Sequence, residues 1–201
     1  VQATHRHAAA FKPNLAFFEQ YGAAGWAALE RIVAAMPEDV LVIADAKRGD
    51  IGNTAKRYAK AMFEGLGAHA ITVAPYMGED SVAPFMDGYA DRWTIVLALT
   101  SNAGADDFEF HGTPPLYERV VERCQTWGSP DELMFVVGAT RPEQLRAIRN
   151  LAPDHFFLVP GVGAQGGRIE DVMEAGWIEG AGGLLINASR SILYANAGED
   201  Y

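Results

Sequence analysis

Residues 40–54 read VLVIADAKRGDIGNT. The first five, Val40–Ala44, are apolar on both alternating faces and rich in β-branched side chains. That is how a strand reads when it is buried on both sides of a parallel sheet. The run ends abruptly in charge, and the chain passes through Asp50 into a helix start near Thr54. Six further short apolar runs repeat the theme: Ala8–Lys12, Ala70–Ala74, Thr94–Leu99, Leu133–Gly138, His155–Val159 and Gly183–Asn187. Amphipathic stretches lie between them at Leu15–Met36, Asn53–Leu66, Pro114–Trp127 and Arg141–Leu151. Strands alternating with helices are βα units, and right-handed crossovers leave few topologies. Seven strands are too many for a small doubly wound sheet of this length and one short of a closed eight-stranded barrel. The expected fold class is therefore α/β, a (β/α)8 TIM barrel, in a single domain over residues 1–201. Its first strand is expected upstream of VQATHRHAAAF and its C-terminal helix is expected to be cut short, since such barrels typically need about 250 residues. An open seven-stranded sheet is the alternative.

Composition narrows the partners. Apolar residues make up 49% of the chain and charged residues 21%, ordinary values for a globular protein. No apolar run reaches the roughly 18 residues that a membrane span needs. The net charge of −10 argues against nucleic-acid binding, so an anionic substrate would need a locally positive pocket. The single cysteine, Cys124, excludes an internal disulfide and a cysteine-built metal site, and fits a reducing cytoplasm. The five histidines are scattered without ligand spacing, so no metal centre is expected.

The chemistry gathers at strand ends. Asp45 and Lys47 are two residues apart, so on a regular strand they face one side. They lie at its C-terminal end, where barrel enzymes keep their catalytic groups. Lys12 closes the neighbouring run in FKPN, within expected reach of Asp45. With Asp50, two ammoniums and two carboxylates would make an alternating network of zero net charge whose titrations are coupled. Such a gathering is costly unless every charge is paired. The plain alternative is a solvated loop with helix-capping residues. It is weakened because Lys12, Asp45 and Lys47 all fall at strand ends.

A second candidate cluster follows the last two runs. In PGVGAQGG, Pro160–Gly167, five residues are Gly or Ala, which lets backbone amides approach a ligand. In NASRSI, Asn187–Ile192, Arg190 stands where a short helix begins, with amides free for an anion. Barrel phosphate sites form from these two loops. An arginine fork adds charge-assisted bonds, and Gln165 is a donor from the other loop. The plain reading of the glycines is a tight connection.

Together FKPN, DAKRGDIGNT, PGVGAQGG and NASRSI resemble the orotidine 5′-phosphate decarboxylase family, in its branch with FKPN and PGVGAQGG, from Ala8 to about Tyr194. The resemblance implies a carboxy-lyase that converts orotidine 5′-monophosphate to uridine 5′-monophosphate in pyrimidine biosynthesis, without metal or organic cofactor. It implies that Lys12 holds a ribose hydroxyl and pairs with Asp45, that Asp45 lies against the substrate carboxylate, and that Lys47 protonates the carbon that loses carbon dioxide. Asp50 and Thr54 would reach across a homodimer interface into the neighbouring site. Ser101, in TSNAG, would recognise the pyrimidine and Pro160 would pack near it. Gln165 and Arg190 would hold the phosphate, and Asn14 would assist in substrate binding. TSNAGADDFEF is a candidate lid. The ribose-binding aspartate of the family's first strand has no counterpart here. One rival is a magnesium-dependent sugar-phosphate lyase or decarboxylase resembling hexulose-phosphate synthase, in which a glutamate replaces Lys12. Another is an inactive nucleotide-binding barrel, since barrels host many functions.

Overall fold

The computed structural model describes residues 1–163 and 165–196. All seven apolar runs form strands: β1 Ala10–Phe11, β2 Leu41–Arg48, β3 Ala70–Val73, β4 Trp93–Leu99, β5 Leu133–Val137, β6 Phe157–Val159 and β7 Leu184–Ile186. They follow one another in chain order across the sheet. The chain groups into two compact units with the boundary inside β4. One is Val1–Val96 with Asp131–Leu133; the other is Leu97–Pro130 with Met134–Tyr201. Among the described residues no helix is long and apolar enough to cross a membrane.

In the first unit β1 pairs parallel with β2, β2 with β3 and β3 with β4. Val42, Ile43, Ala44, Ile71, Val73, Ile95 and Val96 are all buried, which is why these runs show no polar face. The stretch expected as one helix over Leu15–Met36 is two, α1 Ala16–Glu19 and α2 Gly22–Ala34. Gly22 turns the chain at φ 56°, and Gly25 packs so closely that a Cβ there would stand 1.8 Å from the Phe18 carbonyl oxygen. Apolar periodicity runs straight through that break and does not reveal it. After β2 comes α3 Gly52–Lys60, prolonged by a π turn at Ala61–Gly65. Its inner face buries Ala55, Ala59, Met62 and Phe63, while Lys56, Arg57 and Lys60 face water.

In the second unit β5 pairs parallel with β6 and β6 with β7. Its helices are α4 Leu116–Cys124, α5 Pro142–Leu151, α6 Ile169–Gly176 and the single turn α7 Arg190–Leu193. Arg149, near the end of α5, ties the lower ends of these elements together. Its guanidinium donates to the carbonyls of Gly176 (2.9 Å), Ala152 (3.0 Å), His155 (2.6 Å) and Gly183 (2.9 Å) and lies 3.7 Å over the Phe157 ring. Burial pulls its pKa down to about 10, which still leaves it cationic at neutral pH.

Candidate active site

Asp45 is the centre of the first unit's charged cluster. Its side chain is 7% exposed, with Oδ2 2.6 Å from the Lys12 ammonium and Oδ1 2.5 Å from that of Lys47. FKPN brings Lys12 there by continuing β1 alongside β2. The Asp45 N–H donates to the Pro13 carbonyl at 3.0 Å, and the Leu15 N–H donates to the Asp45 carbonyl at 3.2 Å. Proline lacks a donor but keeps its acceptor, so it costs this ladder nothing. Asn14 pairs with Asp45 through the backbone, and its Oδ1 accepts the Ala16 N–H at 3.1 Å, opening α1. Burial pushes the Asp45 carboxyl up. Lys12, by charge and hydrogen bond, and then Lys47 outweigh it and hold the group below the ordinary carboxylate value. Asp45 is therefore an anion at neutral pH.

Lys47 does not reach Asp45 by strand alternation. The β2–β3 register shifts between Ala44 and Arg48, and Lys47 has φ 46°, the only positive φ at a non-glycine position among the described residues. A bulge with one left-handed residue turns the ammonium back onto the carboxylate, at a cost of about 1–2 kcal/mol. The Lys47 N–H has no ladder carbonyl and donates instead to Thr72 Oγ1 at 2.9 Å. The same hydroxyl donates to Asp45 Oδ1 at 3.1 Å. Thr72 is 1% exposed. It is a polar member of the site that a lone hydroxyl in the apolar run AITVA did not announce.

The expected four-membered network does not form within one chain. Asp50 Oδ1 accepts the N–H of Ile51 at 2.8 Å, and among the described residues no ion pair joins Asp50 to Lys12 or Lys47. The carboxylate satisfies an amide at the approach to α3 instead. Thr54 is exposed on α3. The intrachain cluster is thus one carboxylate between two ammoniums, net +1.

In the second unit Ser101 follows β4, and its hydroxyl donates to Gln165 Oε1 at 2.7 Å. Gly161 makes that approach possible. It has φ 102°, and a Cβ there would stand 2.9 Å from Gln165 Oε1 and 3.2 Å from Ser101 Cβ. The glycine-rich loop differs from expectation, because its amides close the loop on itself. Gly163 N–H donates to the Gly167 carbonyl, Gly166 N–H to that of Gly163, and Gly167 N–H to that of Gly161. These three backbone donors are therefore occupied within the loop. Pro160 is half-buried, and its carbonyl accepts the Ala139 N–H at 2.8 Å. Arg190 is exposed at the first residue of α7 and makes no ion pair among the described residues. The TSNAGADDFEF segment is fastened. Glu109 accepts the Thr100 N–H and hydroxyl, both at 2.7 Å, and Arg141 pairs with Asp106 at 2.8 Å. Glu109 is a second residue that sequence pattern did not single out.

Residues 1–200 match the family model described as orotidine 5′-phosphate decarboxylase / HUMPS family. The orotidine 5′-phosphate decarboxylase of Christiangramia forsetii is 50% identical over all of this chain and 75% of its own length. The solved structure of Leishmania donovani OMP decarboxylase superposes with a TM-score of 0.89 at 46% identity, over 94% of this chain and 75% of that one. Leishmania donovani UMP synthase superposes with a TM-score of 0.91 at 49% identity, over 94% of this chain and 43% of that one. The fold class is the (β/α) barrel that the resemblance implies. On sequence and fold alike, this chain belongs to the orotidine 5′-phosphate decarboxylase / HUMPS family.

Proposed function

We propose that this chain decarboxylates orotidine 5′-monophosphate to uridine 5′-monophosphate and carbon dioxide, metal-free, as a cytoplasmic homodimer serving pyrimidine biosynthesis. The observation that carries the reading is the buried Asp45 carboxylate held between the Lys12 and Lys47 ammoniums. The names of the relatives supply the substrate.

The chemistry explains why this trio is needed. When the carboxyl carbon leaves as carbon dioxide, its bonding pair stays on a ring carbon that has no conjugated sink. A fixed ammonium beside that carbon stabilises the developing charge in a water-poor site. Lys47 then gives its proton to the carbon as general acid. Asp45, kept ionised, stands against the departing carboxylate and disfavours the ground state. Lys12 balances Asp45 and holds a ribose hydroxyl, and Asn14 assists in substrate binding. Asp50 and Thr54 serve the neighbouring subunit's site, a role compatible with an Asp50 that pairs with neither lysine of its own chain. Ser101 reads the pyrimidine beside Pro160. Gln165 and Arg190 hold the phosphate, whose binding energy orders the site around the distant reacting carbon.

The magnesium-dependent alternative is disfavoured by Lys12, whose ammonium 2.6 Å from Asp45 occupies the carboxylate that a dication would need. The decisive assay follows release of carbon dioxide from orotidine 5′-monophosphate with and without chelator. Turnover is expected at the same rate in both. No turnover, or turnover that magnesium restores, would reject the assignment. Arg190→Ala is expected to raise KM by about 10–100-fold through loss of a charge-assisted bond, with a smaller change in kcat. An unchanged KM removes Arg190 from the phosphate site.

A further inference from the structure

We propose that Thr72 is the positioning residue that aims Lys47, a role resting on the reading of Lys47 as the proton donor. A hydroxyl has one proton and two lone pairs. Here both capacities are assigned by its partners. Asp45 is ionised and can only accept, so it takes the Thr72 proton at 3.1 Å. The Lys47 N–H can only donate, so it takes a Thr72 lone pair at 2.9 Å.

The sheet itself cannot do this. On β3 the pairing advances two residues, from Ile71 to Val73, while on β2 it advances four, from Ala44 to Arg48. The surplus is looped out, and Lys47 sits inside it with φ 46°. A left-handed lysine persists only where its surroundings over-determine it. The Thr72 side chain does so from below. It replaces the missing ladder carbonyl for the Lys47 backbone and also fixes the carboxylate that the Lys47 ammonium faces at 2.5 Å. Both ends of the Lys47 side chain are thereby referenced to one buried oxygen. Thr72 need not touch substrate; it acts through Lys47 and Asp45.

Thr72→Val keeps the shape of the side chain and deletes both bonds, and Thr72→Ser keeps both bonds. A displacement of about 1 Å in a reacting group costs about 10²-fold in rate. Thr72→Val is therefore expected to lower kcat on orotidine 5′-monophosphate by about 100-fold while KM changes little, and to strip the Lys47 amide of its protection in hydrogen exchange. Thr72→Ser is expected to restore both. Thr72→Ala is read in the same way if the valine variant does not fold. Wild-type kcat in Thr72→Val, a fall in kcat with the Lys47 amide still protected, or a serine variant as poor as valine would each overturn the proposal. Because amide exchange does not depend on substrate, the positioning role is tested even if the chain does not act on this nucleotide. Failure of the wild-type protein to turn over marks the other reading as the one at fault.

Discussion

Lys47→Ala is expected to slow carbon dioxide loss in a single turnover by about 10⁴-fold or more while leaving binding of uridine 5′-monophosphate measurable. Two effects disappear together. A general acid supplies typically 10²–10⁴-fold. An oriented charge at the developing carbanion supplies about 10²–10³-fold more. The two are not additive, because one ammonium performs both tasks. Lys47→Arg is not expected to rescue the rate. Its guanidinium keeps the charge but holds its proton far more tightly and spreads it over a plane. Binding should survive because Gln165, Arg190 and Ser101, the residues proposed to hold the phosphate and the pyrimidine, are untouched. A rate within tenfold of wild type in Lys47→Ala would eliminate Lys47 as the acid and with it the proposed mechanism.

Arg149 carries the largest expected effect on stability. Removing its side chain, as in Arg149→Met, takes the donor from the carbonyls of Ala152, His155 and Gly176, leaves that of Gly183 with only the Phe157 N–H, and uncovers the Phe157 ring. A hydrogen bond to a charged group is worth about 1.5–3 kcal/mol, and these bonds share one side chain, so their sum is not the answer. Arg149 is also only partly buried, so water can reach some of the orphaned oxygens. A loss of about 3 kcal/mol is expected, or about 6–12 °C in Tm for a chain of this size. Arg149→Lys should recover little, because an ammonium has three donors and no plane to lay on the ring. Thermal melts of the two variants decide it. A lysine variant that melts with wild type would show that the fork geometry is dispensable.

The inner strands were legible because burial on both faces leaves a run with no polar side, and the half-buried β1 and β7 kept enough of that apolar character to read the same way. Lys12 and Asp45 were legible as the charges at which two runs stop. Lys47 was legible as a candidate but not in its geometry. A two-residue spacing promises one face, whereas the chain reaches the same meeting through a bulge that no glycine marks. The break between α1 and α2 was hidden because Gly22 turns the backbone without interrupting the apolar period. The loop after β6 shows the opposite failure. Its glycines suggested open amides, but the N–H groups of Gly163, Gly166 and Gly167 donate to carbonyls of the loop itself, and composition cannot say where a donor points. Thr72 was invisible for a different reason. Threonine is itself a good strand former, so its hydroxyl in AITVA reads as shape rather than as function. Glu109 lies nine residues past Thr100 in a segment with no period at all, so only the folded chain brings the two together.

The left-handed backbone at Lys47 has a consequence for how this protein can change. Glycine would sit there without strain, so the substitution easiest on the backbone is also the one that discards the ammonium. A lineage screened only for durability would be drawn toward that silent, sturdier form. If Lys47 is the proton donor proposed above, persistence of lysine at this awkward turn marks working enzyme, and descendants that have lost it can be sorted from active ones by inspecting a single codon.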